Sequence, residues 1–134
     1  MKRVLLFGTF DIVHKGHLDF IRQAKQYGDY LIAIVARDRN VLKIKGKMPL
    51  QDEDARKKEL ERFGLFDEII LGSLGNPYEA VAEVNPDIIC LGYDQKTYTD
   101  SLSEELGKKG MHPKIVRLEP YMPHKYKSSI INNR

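Results

Sequence analysis

Cysteine is almost missing. The only one in 134 residues, Cys90, has no partner for a disulfide within the chain, so a bridge-stapled extracellular scaffold is excluded. Its neighbours Ile88, Ile89 and Leu91 are apolar, the setting of a buried structural thiol and not of a reactive one. Long apolar runs are missing too: none approaches the roughly 20 residues that cross a bilayer, so no membrane association is expected. The basic start Met1-Lys2-Arg3 leads into an apolar stretch only about as long as a strand, with no cleavage site, so no secretory leader is expected. Charge of one sign is scarce. Lys and Arg number 22 against 19 Asp and Glu, a net +3, and the two signs interleave from Asp52 to Glu59, which does not make the basic stripe of a nucleic-acid binder. Repeats, low-complexity tracts and linkers are absent. The expectation is a single cytoplasmic domain over residues 1–134, large enough to bury a core and with the 42% hydrophobic and 31% charged content of a soluble globular protein.

What is present is alternation. Short apolar runs expected to be strands lie near Arg3 to Phe7, Tyr30 to Ala36, Glu68 to Leu71, Asp87 to Leu91 and Lys114 to Leu118. Helical patterns fall between them: Gly16 to Tyr27, Gln51-Asp52 to just before Gly64, Tyr78 to Val84, and Ser101 to Lys109 with Gly110 as its stop. Gly28-Asp29 reads as a turn and Asp38 to Pro49 as a loop. Strands alternating with helices imply an α/β fold: a Rossmann-like, doubly wound, parallel five-stranded sheet with right-handed crossovers and helices on both faces. Such sheets bind ligands beyond the carboxyl ends of their strands. Those ends are followed by Gly8 to His17, by Arg37-Asp38 and by Gly92-Tyr93-Asp94-Gln95, so the unusual polar residues gather at one edge.

The first of these, Gly-Thr-Phe-Asp-Ile-Val-His-Lys-Gly-His, is a strand-to-helix turn. Gly8 lets the backbone leave the strand, and Gly16 sits where the helix is expected to begin, open to a ligand approaching the unpaired N–H groups. Helix starts attract phosphate through those donors and the dipole. His14 and His17, three apart, share one side if the helix has begun, and imidazoles beside phosphate can donate to developing charge. The spacing alone is equally open to a metal pair or a solvated face. No Cys or third His lies nearby to complete a zinc site. Neither a Gly-x-Gly-x-x-Gly turn nor a Gly-Lys-Ser/Thr loop is present, which argues against dinucleotide redox and P-loop hydrolysis.

Gly8-Thr9-Phe10-Asp11 followed by His14-Lys15-Gly16-His17 resembles the signature of the cytidylyltransferase-like nucleotidyltransferases, whose hallmark is His-x-Gly-His. The resemblance implies transfer of a nucleoside monophosphate unit from a triphosphate, ATP or CTP, to a phosphorylated acceptor with release of pyrophosphate. It assigns His14, His17 and Lys43 to catalysis, and Gly8, Thr9, Phe10, Gly16, Lys45 and Arg56 to the nucleotide and its phosphates. Lys43 and Lys45 look like the family's basic loop, and Arg56 like the Arg of its Glu-x-Arg segment. Gly92, Asp94 and Gln95 match its Gly-x-Asp contact to the nucleotide, although Gln95 stands where the glycerol-phosphate enzymes carry Trp. Lys127-Ser128-Ser129-Ile130-Ile131 resembles a degenerate second signature, Arg-x-x-x-Ile-Ser-Thr-Thr, in which Ser128 and Ser129 hold phosphate; as isolated serines they would read as helix N-caps. Mg²⁺ is expected to come with the triphosphate through substrate oxygens, with no protein ligand assigned and Asp11 as a candidate to assist, and a homodimer is expected from the resemblance.

Val35-Ala36-Arg37-Asp38, Ile70 to Leu74 and Leu91 to Gln95 together look most like the archaeal-type FAD synthases, which adenylylate FMN. The C-terminal cysteines common in those enzymes are missing here. A glycerol-3-phosphate cytidylyltransferase is the alternative acceptor reading, and a catalytically silent nucleotide-binding module the alternative from another class.

Overall fold

In the computed structural model of the protein, residues 1–11, 13, 15–92 and 101–119 are described. In chain order they form β1 (Arg3–Gly8), α1 (Lys15–Lys25), β2 (Tyr30–Val35), α2 (Asp38–Lys45), α3 (Glu53–Arg62), β3 (Glu68–Leu71), α4 (Pro77–Val84), β4 (Ile88–Leu91), α5 (Leu102–Gly107) and β5 (Lys114–Arg117). The strands make one parallel five-stranded sheet in the order β3-β2-β1-β4-β5. Chain direction across the sheet reverses between β1 and β4, which makes their carboxyl ends the switch point where ligands bind.

Three aspartates set the opposite edge. Asp29, Asp67 and Asp87 each stand one residue ahead of a strand, and each carboxylate accepts a backbone N–H from the neighbouring strand's entry. Lys2 donates to Asp29 at 3.0 Å, Leu31 to Asp67 at 2.7 Å and Arg3 to Asp87 at 2.7 Å. These are donors that the ladder leaves over, so the pairs fix where each strand begins.

Register then divides the core. Val4 and Leu6 lie beside Leu31, Ala33, Ile88 and Cys90 on one face; Leu5 lies beside Ile32 and Ile89 on the other. The first face is covered by Ile21 and Ala24 of α1, and its far end by Leu60 of α3 against Ala33 and Val35. The second is covered by Ala80, Val81 and Val84 of α4 and by Leu102 and Leu106 of α5. The central strands β1, β2 and β4 are buried on both sides, hence their near-continuous apolar sequence, while the edge strands β3 and β5 are only partly buried. At Gly28 a Cβ would lie 2.6 Å from Val4 Cγ2 and 2.8 Å from the Lys2 carbonyl, so only glycine passes between α1 and β2.

The doubly wound α/β architecture expected from the sequence is the one observed. One element differs: Asp38 to Lys45, expected as part of a loop, is helix α2, closed by Gly46 in the left-handed conformation (φ 75°) with its N–H donating to Leu42 O at 2.9 Å. The helix has no side-chain cap at Arg37 and buries only Asn40 and Val41. Its start is secured by a carboxylate from α3, a long-range contact with no local sequence signal. Helices α1 and α5 are also shorter than the periodicity suggests, α5 ending at Gly107 ahead of a turn to Gly110. Among the described residues no helix is long and apolar enough to cross a membrane.

Candidate active site

At the carboxyl end of β1 the chain makes a turn held at three successive residues. The Thr9 carbonyl accepts Arg56 Nη1 at 2.7 Å. Phe10 takes a left-handed backbone (φ 52°), uncommon for a residue with a bulky side chain, and its buried ring lies 5.8 Å from the His17 ring and 6.4 Å, edge-on, from Phe66. Asp11 uses both carboxylate oxygens, accepting the N–H of Leu50 at 2.7 Å and of Gln51 at 2.9 Å. His17 follows on the first turn of α1.

This turn forms one wall of a cleft of about 630 Å³. Gly8, Thr9, Phe10, Asp11, His17, Lys45 and Gly92 all line it, so these expected site residues are brought together. Lys43, two residues from Lys45 on α2, is exposed but does not line it, nor does Gly16. His14, Asp94, Gln95, Ser128 and Ser129 lie outside the described residues.

Arg56 is wholly buried and does not reach the cleft. Its Nε donates to Gln51 O at 3.0 Å, Nη1 to Thr9 O and Nη2 to Asp38 Oδ1 at 2.7 Å. The α3 start that carries it is capped by Asp52, which accepts Ala55 N–H at 2.8 Å. Arg37 extends the same polar layer, donating to Gly72 O and to Glu53 Oε2, each at 2.7 Å. Burial alone would raise the Glu53 carboxyl, but the Asp38 N–H and the Arg37 guanidinium outweigh it and hold the group below the usual glutamate range.

Sequence reasoning made none of Asn40, Ser73 and Tyr78 a site residue, although Ser73 lies in the Ile70 to Leu74 segment that carries the resemblance, and all three line the cleft; Asn40 Nδ2 donates to Ser73 O at 3.0 Å. Ser73 follows β3 at the sheet's carboxyl edge, so position in the sheet was the available signal. Asn40 and Tyr78 carry no motif. Phe7, Phe20, Ile34, Val81 and Leu102 give the rest of the cleft an apolar wall. No group of three or more His, Cys, Asp or Glu placed to hold a metal occurs among the described residues, and Asp11 already serves two backbone donors.

A parallel sheet whose switch-point cleft is lined by a glycine-led strand-to-helix turn with His17 on it, and by a lysine of α2, is the frame of a nucleotide-handling α/β enzyme. The chain belongs to the Cytidylyltransferase-like family, which residues 5–134 match, and it is a nucleotidyltransferase. It is 44% identical to a protein named FAD synthase from Methanococcoides burtonii over 122 residues, 91% of this chain and 84% of the relative. A second protein of that name, from Aciduliprofundum boonei, is 44% identical over 90% of this chain and 80% of its own length. Among solved structures, one described as the lipopolysaccharide core biosynthesis protein of Thermoplasma volcanium superimposes with a TM-score of 0.83 at 41% identity, covering 90% of this chain and 98% of that one. Pantothenate synthetase from Thermus thermophilus, at 13% identity and TM-score 0.58 over 88% of this chain and 55% of that one, shares the fold alone.

Proposed function

We propose that the protein adenylylates FMN: it transfers AMP from ATP to the FMN phosphate, forming FAD and pyrophosphate. The observation that carries this reading is the mixed lining of a single cleft, in which Thr9, His17 and Lys45 occur together with Phe7, Ile34, Tyr78 and Val81. An acceptor with a flat, largely apolar ring system and a phosphate matches that mixture; glycerol phosphate would leave the apolar lining uncovered. The name shared by relatives 44% identical over about nine-tenths of the chain supports the same acceptor.

In this reading an oxygen of the FMN phosphate attacks the α-phosphorus in line. A new P–O bond forms and the bond to the bridging oxygen of the β-phosphate breaks. Positioning and charge neutralisation supply most of the catalysis. His14 and His17 donate to the α-phosphate, Thr9 and the N–H groups around Gly8 and Gly16 orient it, and Lys45, Ser128 and Ser129 hold the leaving pyrophosphate; Lys43, which does not line the cleft, departs from its expected catalytic role. Gly92, Asp94 and Gln95 contact the nucleotide. Mg²⁺ enters bound to the ATP oxygens. Arg56 departs from its expected phosphate contact: with three of its nitrogens bonded to protein groups, it acts by holding the Thr9 carbonyl. We read residues 1–134 as one domain, working in the cytoplasm as a homodimer.

A pyrophosphate-release screen tests the reading, pairing ATP and CTP with FMN, glycerol 3-phosphate and sugar phosphates. ATP with FMN alone should react and yield FAD on chromatography. Reaction of CTP with glycerol 3-phosphate would replace the acceptor assignment, and silence with every pair would leave a nucleotide-binding module. His17→Ala should lower turnover by about 10²- to 10⁴-fold with the fold intact.

A further inference from the structure

We infer that Phe10 is a positioning residue, whose left-handed backbone and buried ring fix where the His17 imidazole sits. Nothing local favours φ 52° at a phenylalanine, so the surroundings must impose it. They do so from both flanks: Arg56 holds the Thr9 carbonyl, and Leu50 and Gln51 donate to the Asp11 carboxylate. The result is visible in the ring. It is 8% exposed, braced edge-on against Phe66 at 6.4 Å, and tilted 48° to the His17 ring at 5.8 Å. A right-handed φ would swing the Cα–Cβ bond and carry the ring off the imidazole. The ring thus limits His17 to a narrow range of orientations and keeps water from one side of it. Ground gained by orientation is lost steeply when a catalytic group moves by about 1 Å.

The inference rests on His17 acting at the phosphate and needs no particular acceptor. Its test has a spectroscopic arm and a kinetic arm. In the unaltered protein, nuclear Overhauser contacts should join the Phe10 and His17 ring protons, and the His17 carbon-bound protons should be displaced by the phenyl ring current. In Phe10→Leu the displacement should vanish with the circular dichroism spectrum retained. Pyrophosphate release should fall on the order of 10- to 100-fold in kcat, with KM for ATP little changed. Phe10→Tyr, which keeps the ring, should restore most of the rate. Phe10→Gly accepts the same φ without strain but lacks the ring, and should be as slow as Phe10→Leu. Absence of the ring contact in the unaltered protein, or full kcat in Phe10→Gly, would overturn the inference while leaving nucleotidyl transfer standing. An unaltered protein inert with every nucleotide and acceptor, its ring contact intact, would instead overturn the functional reading and the role of Phe10 with it.

Discussion

Asp38 and Glu53 cap each other's helices. The Glu53 carboxylate accepts the Asp38 N–H at 2.9 Å, and the Asp38 carboxylate accepts the Glu53 N–H at 3.2 Å, so the first residues of α2 and α3 are joined by a reciprocal pair. Each helix start has donors with no intrahelical partner, and each receives a negative charge at its positive end. The consequence for function is geometric. Helix α2 carries Lys45 to the cleft, and α3 carries Arg56 to the Thr9 carbonyl, so one pair of carboxylates fixes these two cleft-lining residues relative to each other.

The Glu53 carboxyl makes this linkage pH-dependent. Its native pKa is lowered, so the folded chain binds fewer protons than the unfolded one. The stability it contributes is in place above the ordinary glutamate value of about 4.3 and drains away as pH falls through that value toward the lowered one. Glu53→Gln should therefore lose about 1–3 kcal/mol at neutral pH in urea unfolding. The difference from the unaltered protein should shrink below about pH 4. A difference constant from pH 3 to 7 would refute the linkage.

Arg56 has the larger stake. Its removal strips the Thr9 and Gln51 carbonyls of their donor and leaves the Asp38 carboxylate, 19% exposed, without its ion-pair partner. Arg56→Ala is expected to cost on the order of 3–5 kcal/mol, read as a lower urea midpoint. Arg56→Lys, which keeps the charge but not the three-way fork, should recover only part of it. Recovery of full stability by lysine would show that charge alone matters.

How far the sequence reveals this follows from where each signal resides. The sheet was legible because its central strands, buried on both faces, read as apolar runs, and because Gly28-Asp29 marked the turn before β2; Asp67 and Asp87, which pin the entries of neighbouring strands, were not read as signals. Thr9 and His17 were legible because the family signature is local. Helix α2 was hidden: Asp38 and its lysines look like a solvated loop, and the carboxylate that secures the helix comes from Glu53, 15 residues on. Arg56 was seen but given a contact its burial does not allow, since nothing in Asp54-Ala55-Arg56 tells a buried guanidinium from an exposed one. The left-handed φ of Phe10 had no glycine to announce it.

Cys90 was read as inert from its apolar neighbours, and the structure supplies the cause. It is fully buried in β4, and burial pushes the thiol up to about 11. Thiolate, the reactive form, is then a negligible fraction at neutral pH. An aromatic disulfide reagent at pH 8 should leave the folded protein unlabelled and titrate one thiol in denaturant. Rapid labelling without denaturant would contradict the burial.

Lys43 and Lys45 were assigned together, yet the fold separates them, because residues two apart on a helix do not share a face. Lys45 lines the cleft and Lys43 does not. Both side chains are exposed, but a point charge at the cleft wall can meet a bound phosphate directly, whereas a charge off the cleft acts only at a distance and is screened within about 8–10 Å. Lys45→Ala should therefore raise KM for ATP or lower kcat by about tenfold or more, a loss near 1.4 kcal/mol. Lys43→Ala should change either by less than about threefold, and its small effect should fade in 0.5 M salt while that of Lys45→Ala persists. Steady-state pyrophosphate release at two salt concentrations distinguishes the two lysines. Equal, salt-sensitive losses at both would mean that α2 presents a diffuse positive field and not a single contact.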